Sequence, residues 1–115
     1  MRSWQVQRRR WPMTAHNGSL WISDFDASVV RRVDGRSGRV TAKVKVGPNP
    51  EDVLVAHGSV WVANHRCGTG SRVDPKRSEV TATIKVGPAG PSGPQTLAAD
   101  DRYVYVSVPG AAPST

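Results

Sequence analysis

The sequence predicts an all-β protein assembled from antiparallel four-stranded repeats. Three observations carry this. The first is composition. Across 115 residues, valine-rich stretches are cut into short pieces by 11 glycines and 9 prolines, which favours short strands and tight turns over helices. The second is self-similarity at a shift of 40 residues. GSLWIS at 18–23 meets GSVWVA at 58–63, and RVDGRSGRVTAKVKVGP at 32–48 meets RVDPKRSEVTATIKVGP at 72–88. The third is alternation. Val40, Ala42, Val44 and Val46 interleave with Thr41, Lys43 and Lys45, and Val80, Ala82, Ile84 and Val86 interleave with Thr81, Thr83 and Lys85. A period of two is the mark of a half-buried strand.

The elements follow in order within the second copy. Residues 53–56 form a short apolar strand and His57-Gly58 turns the chain. Val60-Trp61-Val62 makes a second strand, NHRCGTG at 64–70 a loop, and Ser71-Arg72-Val73 a third strand. The alternating segment from Val80 is the fourth. The first copy begins near Trp11, because RWPMTAHNGSLWI at 10–22 fills the slot of PEDVLVAHGSVWV at 50–62. A partial third copy, PQTLAADDRYVYV at 94–106, aligns at a shift of 44. Its four extra residues fall in GPAGPSGPQ at 87–95, a Gly/Pro loop where insertions cost little. No helical period is present, which excludes helical solenoids. Four short antiparallel strands recurring at this period make a β-propeller blade. The predicted organisation is a basic leader at 1–10, blade repeats at 11–48 and 49–88, a partial third blade at 89–108 and a flexible tail at 109–115. That is an incomplete propeller of about two and a half blades, where closed ones typically have about four to eight.

The turn between third and fourth strands has a chemical cause. Asp34 and Asp74 stand at its start, where a carboxylate accepts hydrogen bonds from backbone amides two residues on. Pro75 presets φ in the second copy, whereas Gly35 is expected to leave the first turn looser. The recurring VGP closes the outer strand and begins the crossing to the next blade.

The segments GSVWVAN, SRVDP and VTATIKVGP resemble the repeat of the YVTN family and of the streptogramin lyase (virginiamycin B lyase)-like propellers. The likeness runs from about Trp11 to Val108. It implies a propeller fold, and it is shared by many binding propellers. Streptogramin lyases carry a histidine and glutamates with magnesium over the central opening. The glutamates here are Glu51, at the start of an inner strand, and Glu79, at the start of an outer one. His16 lies near the end of the equivalent inner strand one copy earlier. No local motif maps the lyase residues onto these positions.

Trp21, Trp61 and Tyr105 share one position of the repeat. Large aromatics there are expected to fill the wedge between neighbouring blades as buried anchors. The competing reading is that they line a ligand-binding face.

Charge and cysteine bound the function. The net charge is +7. Arg2, Arg8, Arg9 and Arg10 fall in the leader with no acid beside them. Such a run suits an anionic surface or nucleic acid, but no aromatic platform or groove motif accompanies it, so a solvated terminus is expected. Cys67 is the lone cysteine and forms no internal disulfide. The N-terminal segment lacks the apolar run of a secretory signal, and nothing is apolar enough to span a membrane, so the chain as written is expected to stay inside the cell. His65 and Cys67 sit two apart, yet structural zinc takes four ligands and His16 and His57 occupy another slot of the repeat. Cys67 has no orienting base for nucleophilic work. Asp26, Asp52, Asp100 and Asp101 read as turn or strand-start residues.

No catalytic, cofactor-binding or metal-binding residue is assigned, and no cofactor is expected. The expected function is a non-catalytic propeller segment that acts as a binding or scaffold module of a larger propeller. A streptogramin lyase-like fragment is the first alternative and a basic nucleic-acid-associated module the second. The ligand or protein partner is not specified by any motif. Self-association, or docking on missing blades, is expected through the last strand, with Val104, Val106 and Val108 as its apolar row.

Overall fold

The computed structural model describes residues 11–90 and 93–109. The basic leader with its four arginines, and all of the tail beyond Pro109, lie outside them. Ten strands and no helix occur among the described residues, so no helix is long and apolar enough to cross a membrane.

The first blade holds β1 (Met13–His16), β2 (Ser19–Asp24), β3 (Val29–Asp34) and β4 (Val40–Lys45) in spatial order 1-2-3-4. The second repeats it with β5 (Pro50–Ala56), β6 (Ser59–Asn64), β7 (Thr69–Asp74) and β8 (Glu79–Lys85). A hairpin of β9 (Leu97–Ala99) and β10 (Val104–Val106) supplies the inner two strands of the third. All pairs are antiparallel. Equivalent bulges interrupt the third-to-fourth pairing between Arg32 and Val33 and between Arg72 and Val73.

Turn chemistry accounts for the hairpins. Asn17 and Gly18 have φ of 48° and 77°, and His57 and Gly58 have φ of 52° and 75°. Two successive left-handed residues make the type I′ turn whose twist matches the flanking strands. The third-to-fourth turns also behave as predicted. Asp34 Oδ1 accepts from the Arg36 N–H at 2.9 Å, and Asp74 Oδ1 accepts from the Lys76 N–H at 2.8 Å.

Two local expectations need correction. The Gly35 turn is not the looser one. Its N–H donates to the Gly18 carbonyl at 2.8 Å, a strap that Pro75 lacks the hydrogen to make. The second-to-third loop is shorter than the predicted NHRCGTG, spanning only residues 65–68. Asn64 extends the strand because its buried Nδ2 donates to Thr69 Oγ1 at 3.0 Å and Ser71 Oγ at 2.8 Å.

The core lies between blades. Trp21, Val30, Val44 and Val46 of the first blade meet Val53, Val60, Val62 and Val73 of the second. The crossing VGP segments lie against the blade that follows. A Cβ on Gly47 would stand 2.8 Å from Asn64 Cγ and from Cys67 Sγ, and one on Gly87 would stand 2.5 Å from Val108 Cγ1. Only a glycine lets the backbone come this close.

The shared aromatic position is packed unevenly. Trp21 is 0% exposed, Trp61 is half-buried and Tyr105 is 51% exposed. The anchor reading therefore holds for Trp21, holds in part for Trp61 and fails for Tyr105, whose outer side no strand covers among the described residues. The apolar row of the last strand is also not the free surface expected. Val104 and Val106 turn inward and, with Leu97, face Trp61, Ile84 and Val86. Tyr103 and Tyr105 occupy the outer side instead. The three sheets do not close into a ring.

Candidate functional site

The inner strands β1, β5 and β9 neighbour one another in sequence order. Val55 N–H donates to Thr14 Oγ1 at 3.2 Å across the first gap. Leu97 N–H donates to Asp52 Oδ2 at 2.8 Å across the second. The three strands begin at one end of the assembly. There Pro12, Glu51, Asp52, Gln95 and Thr96 line a cleft of about 360 Å³.

Repeat register makes Pro12, Asp52 and Thr96 equivalent, and likewise Trp11, Glu51 and Gln95. The cleft residues thus change from blade to blade, whereas the packing positions recur. Asp52 is committed to the backbone. Its Oδ1 takes the Val53 N–H at 2.9 Å and its Oδ2 the Leu97 N–H. It clips the second blade to the third, a role that its reading as a strand-start residue did not include. Glu51 stands beside it, half-buried.

The other candidates are dispersed. His16 ends β1 and accepts at Nε2 from Asn17 Nδ2 at 3.2 Å. Its repeat equivalent is Ala56, five residues beyond Glu51, which is roughly 17 Å along a strand. His16 and Glu51 therefore sit at opposite ends of the inner strands. Glu79 begins β8 and is exposed on the outer side, as expected. His65 Nδ1 faces the Pro94 carbonyl at 3.2 Å, and Cys67 Sγ contacts Thr69 Oγ1 at 2.8 Å. Among the described residues, no three His, Cys, Asp or Glu side chains converge to hold a metal ion. Lys43, Lys45 and Lys85 are exposed on the outer strands.

Asp26 and Asp101 lie in exposed turns. Asp100 Oδ1 accepts from the backbone N–H groups of Arg102 at 2.8 Å and Tyr103 at 2.7 Å, and its Oδ2 accepts from the Tyr105 hydroxyl at 2.7 Å. The Tyr103 amide first, then those of Arg102 and the Tyr105 hydroxyl, hold the Asp100 carboxyl below its usual range. The same bond pushes the Tyr105 phenol up.

One repeated device was missed by sequence reasoning. Arg32 lies over Trp21 at 5.6 Å and donates from Nε to Ser19 Oγ at 3.1 Å; Arg72 lies over Trp61 at 5.5 Å and donates from Nε to Ser59 Oγ at 2.8 Å. The common spacing of Ser19, Trp21 and Arg32 with Ser59, Trp61 and Arg72 was the available signal. A second missed pair is Asp24 with Arg31, an ion pair largely withdrawn from solvent. In the second blade Asn64 and Ser71 replace it with an uncharged hydrogen bond.

Neither a family model nor a curated protein matches the sequence. Solved structures do. Kuenenia stuttgartiensis hydrazine synthase superposes with a TM-score of 0.72 at 31% identity, over 87% of this chain and 28% of that one. Virginiamycin B lyase from Staphylococcus aureus gives a TM-score of 0.70 at 14% identity, over 84% of this chain and 33% of that one. Myxococcus xanthus glutaminyl cyclase gives 0.67 at 13% identity, over 93% of this chain and 53% of that one. The chain is an unclosed run of β-propeller blades. In fold the blades are similar to those of the streptogramin lyase-like propellers. The chain spans about a quarter to a half of these three proteins' lengths.

Proposed function

We propose that this run of blades, with repeats at 11–48 and 49–88 and a partial blade at 89–108, serves as a non-catalytic binding scaffold. Its ligand-facing end is the cleft at the starts of β1, β5 and β9. The observation that supports this is the contrast inside the repeat. Positions that pack blade on blade mostly stay apolar from copy to copy, as Leu20, Val60 and Val104 do, while those at the cleft change in chemical character, as Pro12, Asp52 and Thr96 do. A repeat protein needs apolar side chains where units stack and gains specificity where they do not.

The likeness to virginiamycin B lyase brings the alternative of a lyase-type activity. It fits less well. General acid–base work needs groups converging on one reacting atom. His16 and Glu51 stand at opposite ends of the inner strands, and both oxygens of Asp52 hold backbone amides. The purified protein, incubated with magnesium and a cyclic depsipeptide antibiotic, is expected to leave the ring intact by mass spectrometry. Metal-dependent ring opening that Glu51→Gln or His16→Ala abolishes would overturn the scaffold reading. The basic nucleic-acid reading rests on the leader arginines outside the described residues. A steep loss of nucleic-acid affinity between low and moderate salt would support it.

A further inference from the structure

Asn17-Gly18 forms the tip of the first hairpin, where the second copy has His57-Gly58. When glycine follows asparagine, no side chain hinders the glycine nitrogen from closing on the amide carbon Cγ. The structure leaves both groups accessible. Asn17 and Gly18 are exposed and lie beyond the ends of β1 and β2, not on a face that stacks on a neighbouring blade. A Cβ on Gly18 would meet nothing within 4 Å. Among the described residues the Gly18 N–H donates to no acceptor, and the Asn17 side chain contacts only His16 Nε2, through Nδ2 at 3.2 Å. The two other asparagines, Asn49 and Asn64, lack this combination. Asn49 precedes Pro50, which has no N–H. Asn64 is fully buried, and the N–H that follows it, on His65, donates to the Asn49 carbonyl at 3.0 Å. Asp34-Gly35 is restrained too, because the Gly35 N–H is held by the Gly18 carbonyl at 2.8 Å.

We propose that Asn17 is a self-modification site, converted in the folded protein to an isoaspartyl residue, and that this conversion unhooks the inner strand of the first blade from the second. The Gly18 nitrogen gives up its proton and bonds to Asn17 Cγ. The Cγ–Nδ2 bond breaks, and Nδ2 takes up a proton and leaves as ammonia. Water then opens the cyclic imide at either carbonyl, giving an aspartyl or an isoaspartyl residue. Asn17 and Gly18 hold φ of 48° and 77°, and ring closure needs this left-handed pair to open. Its anchor on one side is the four-residue β1, partly exposed along its length, and a short strand end opens at less cost than the whole fold. The aspartyl product keeps the turn, since Asp-Gly suits a type I′ turn as Asn-Gly does. The isoaspartyl product adds a backbone carbon to a two-residue loop whose length fixes the register. The His16–Ser19 pair beside the turn is disturbed first. Thr14, two residues further back, is the acceptor that β1 offers to the Val55 N–H of the second blade. The inference goes beyond the scaffold reading and does not rest on it.

Incubation of the purified chain at mildly alkaline pH, followed by tryptic mapping with mass spectrometry, tests it. Asn17 is the only asparagine or glutamine in the peptide 11–31, and Asn49 and Asn64 share the peptide 46–66. The first peptide is expected to exchange its amide for a carboxyl, appearing as two isomers of equal mass, while the second stays intact. The rate in the folded chain is expected to lie within about a hundredfold of that in urea, a difference of roughly 2.7 kcal/mol in barrier. A slower folded-state rate overturns the proposal, because the turn then reacts only on global unfolding. Loss of amide from 46–66 before 11–31 overturns it as well. Hydrogen exchange reads the consequence: the Val55 amide is expected to exchange faster in the isoaspartyl form than in wild type, and at the wild-type rate in Asn17→Asp. Equal Val55 exchange in all three would show that the modified turn leaves the blades joined, and would overturn the unhooking.

Discussion

The first and second blades have nearly the same sequence and the same strand register, but not the same burial. Val44 in the first blade is 5% exposed, while its counterpart Ile84 is 44% exposed. Isoleucine is the larger and more apolar residue, so intrinsic hydrophobicity predicts the reverse. Trp21 is fully buried and Trp61 half-buried although each sits under an equivalent arginine. The difference lies in what comes next. Four strands cover the first blade, and a two-stranded hairpin covers the second. The face that a blade turns to the next one is buried by that neighbour and not by its own fold.

Tryptophan truncation gives the largest contrast. Trp21→Ala is expected to cost about 3–5 kcal/mol, the range for removing a buried aromatic. Trp61→Ala is expected to cost about 2 kcal/mol, since only part of its surface leaves water on folding. Urea titration of both variants measures this. Equal losses would break the comparison and show that the third hairpin covers Trp61 as fully as a whole blade.

Glycine substitution sharpens the same point at the crossings. Gly47→Ala drives a methyl into Asn64, which is buried and held by two hydrogen bonds. It is expected to cost about 1–3 kcal/mol, the range for overpacking. Gly87→Ala meets the half-buried Val108 of the partial blade instead, and a smaller loss is expected because that side chain has room to yield. A larger loss at Gly87 than at Gly47 would mean that the third hairpin is the more rigid partner.

The smallest effect is one in which the two blades should agree. Amides of the Asp34 and Asp74 turns, led by those of Arg36 and Lys76, hold each carboxyl below its ordinary value of 3.8. A carboxyl with a lowered folded value contributes stability that is complete above its unfolded value and disappears as pH falls through the folded one. Thermal midpoints are therefore expected to be flat above about pH 5 and to fall below about pH 4 as these turns protonate. Asp34→Asn and Asp74→Asn, whose side-chain oxygens still accept the amides, are each expected to reduce that acid slope by a similar, small amount. A slope changed by only one of them would separate two carboxylates that accept the amide two residues on in the same way.

Much of the fold was legible because its causes are local. Asp34 and Asp74 bond amides two residues away, and His57-Gly58 adopts a left-handed pair that its own residues allow. The looseness assigned to Gly35 failed because its N–H is tied to Gly18, a partner 17 residues distant. At the cleft, Glu51 was read as the acid at the start of an inner strand. That Asp52 spends both oxygens on amides, one of them on Leu97, was not legible, since no repeat equivalent shows it.

The sequence by itself determined the strands, their order in each blade and the recurring turns. These depend on φ preference, on side chains reaching their own backbone and on a period of two, all of which act within a few residues. Tertiary structure alone decided which member of each equivalent set is buried, which way Val104 and Val106 face and which residues share the cleft. Those outcomes depend on contact between blades some 40 residues apart. Trp21, Trp61 and Tyr105 hold one position in the repeat, and their burial falls in chain order: a four-stranded sheet covers the first, a two-stranded hairpin the second and no strand among the described residues the third.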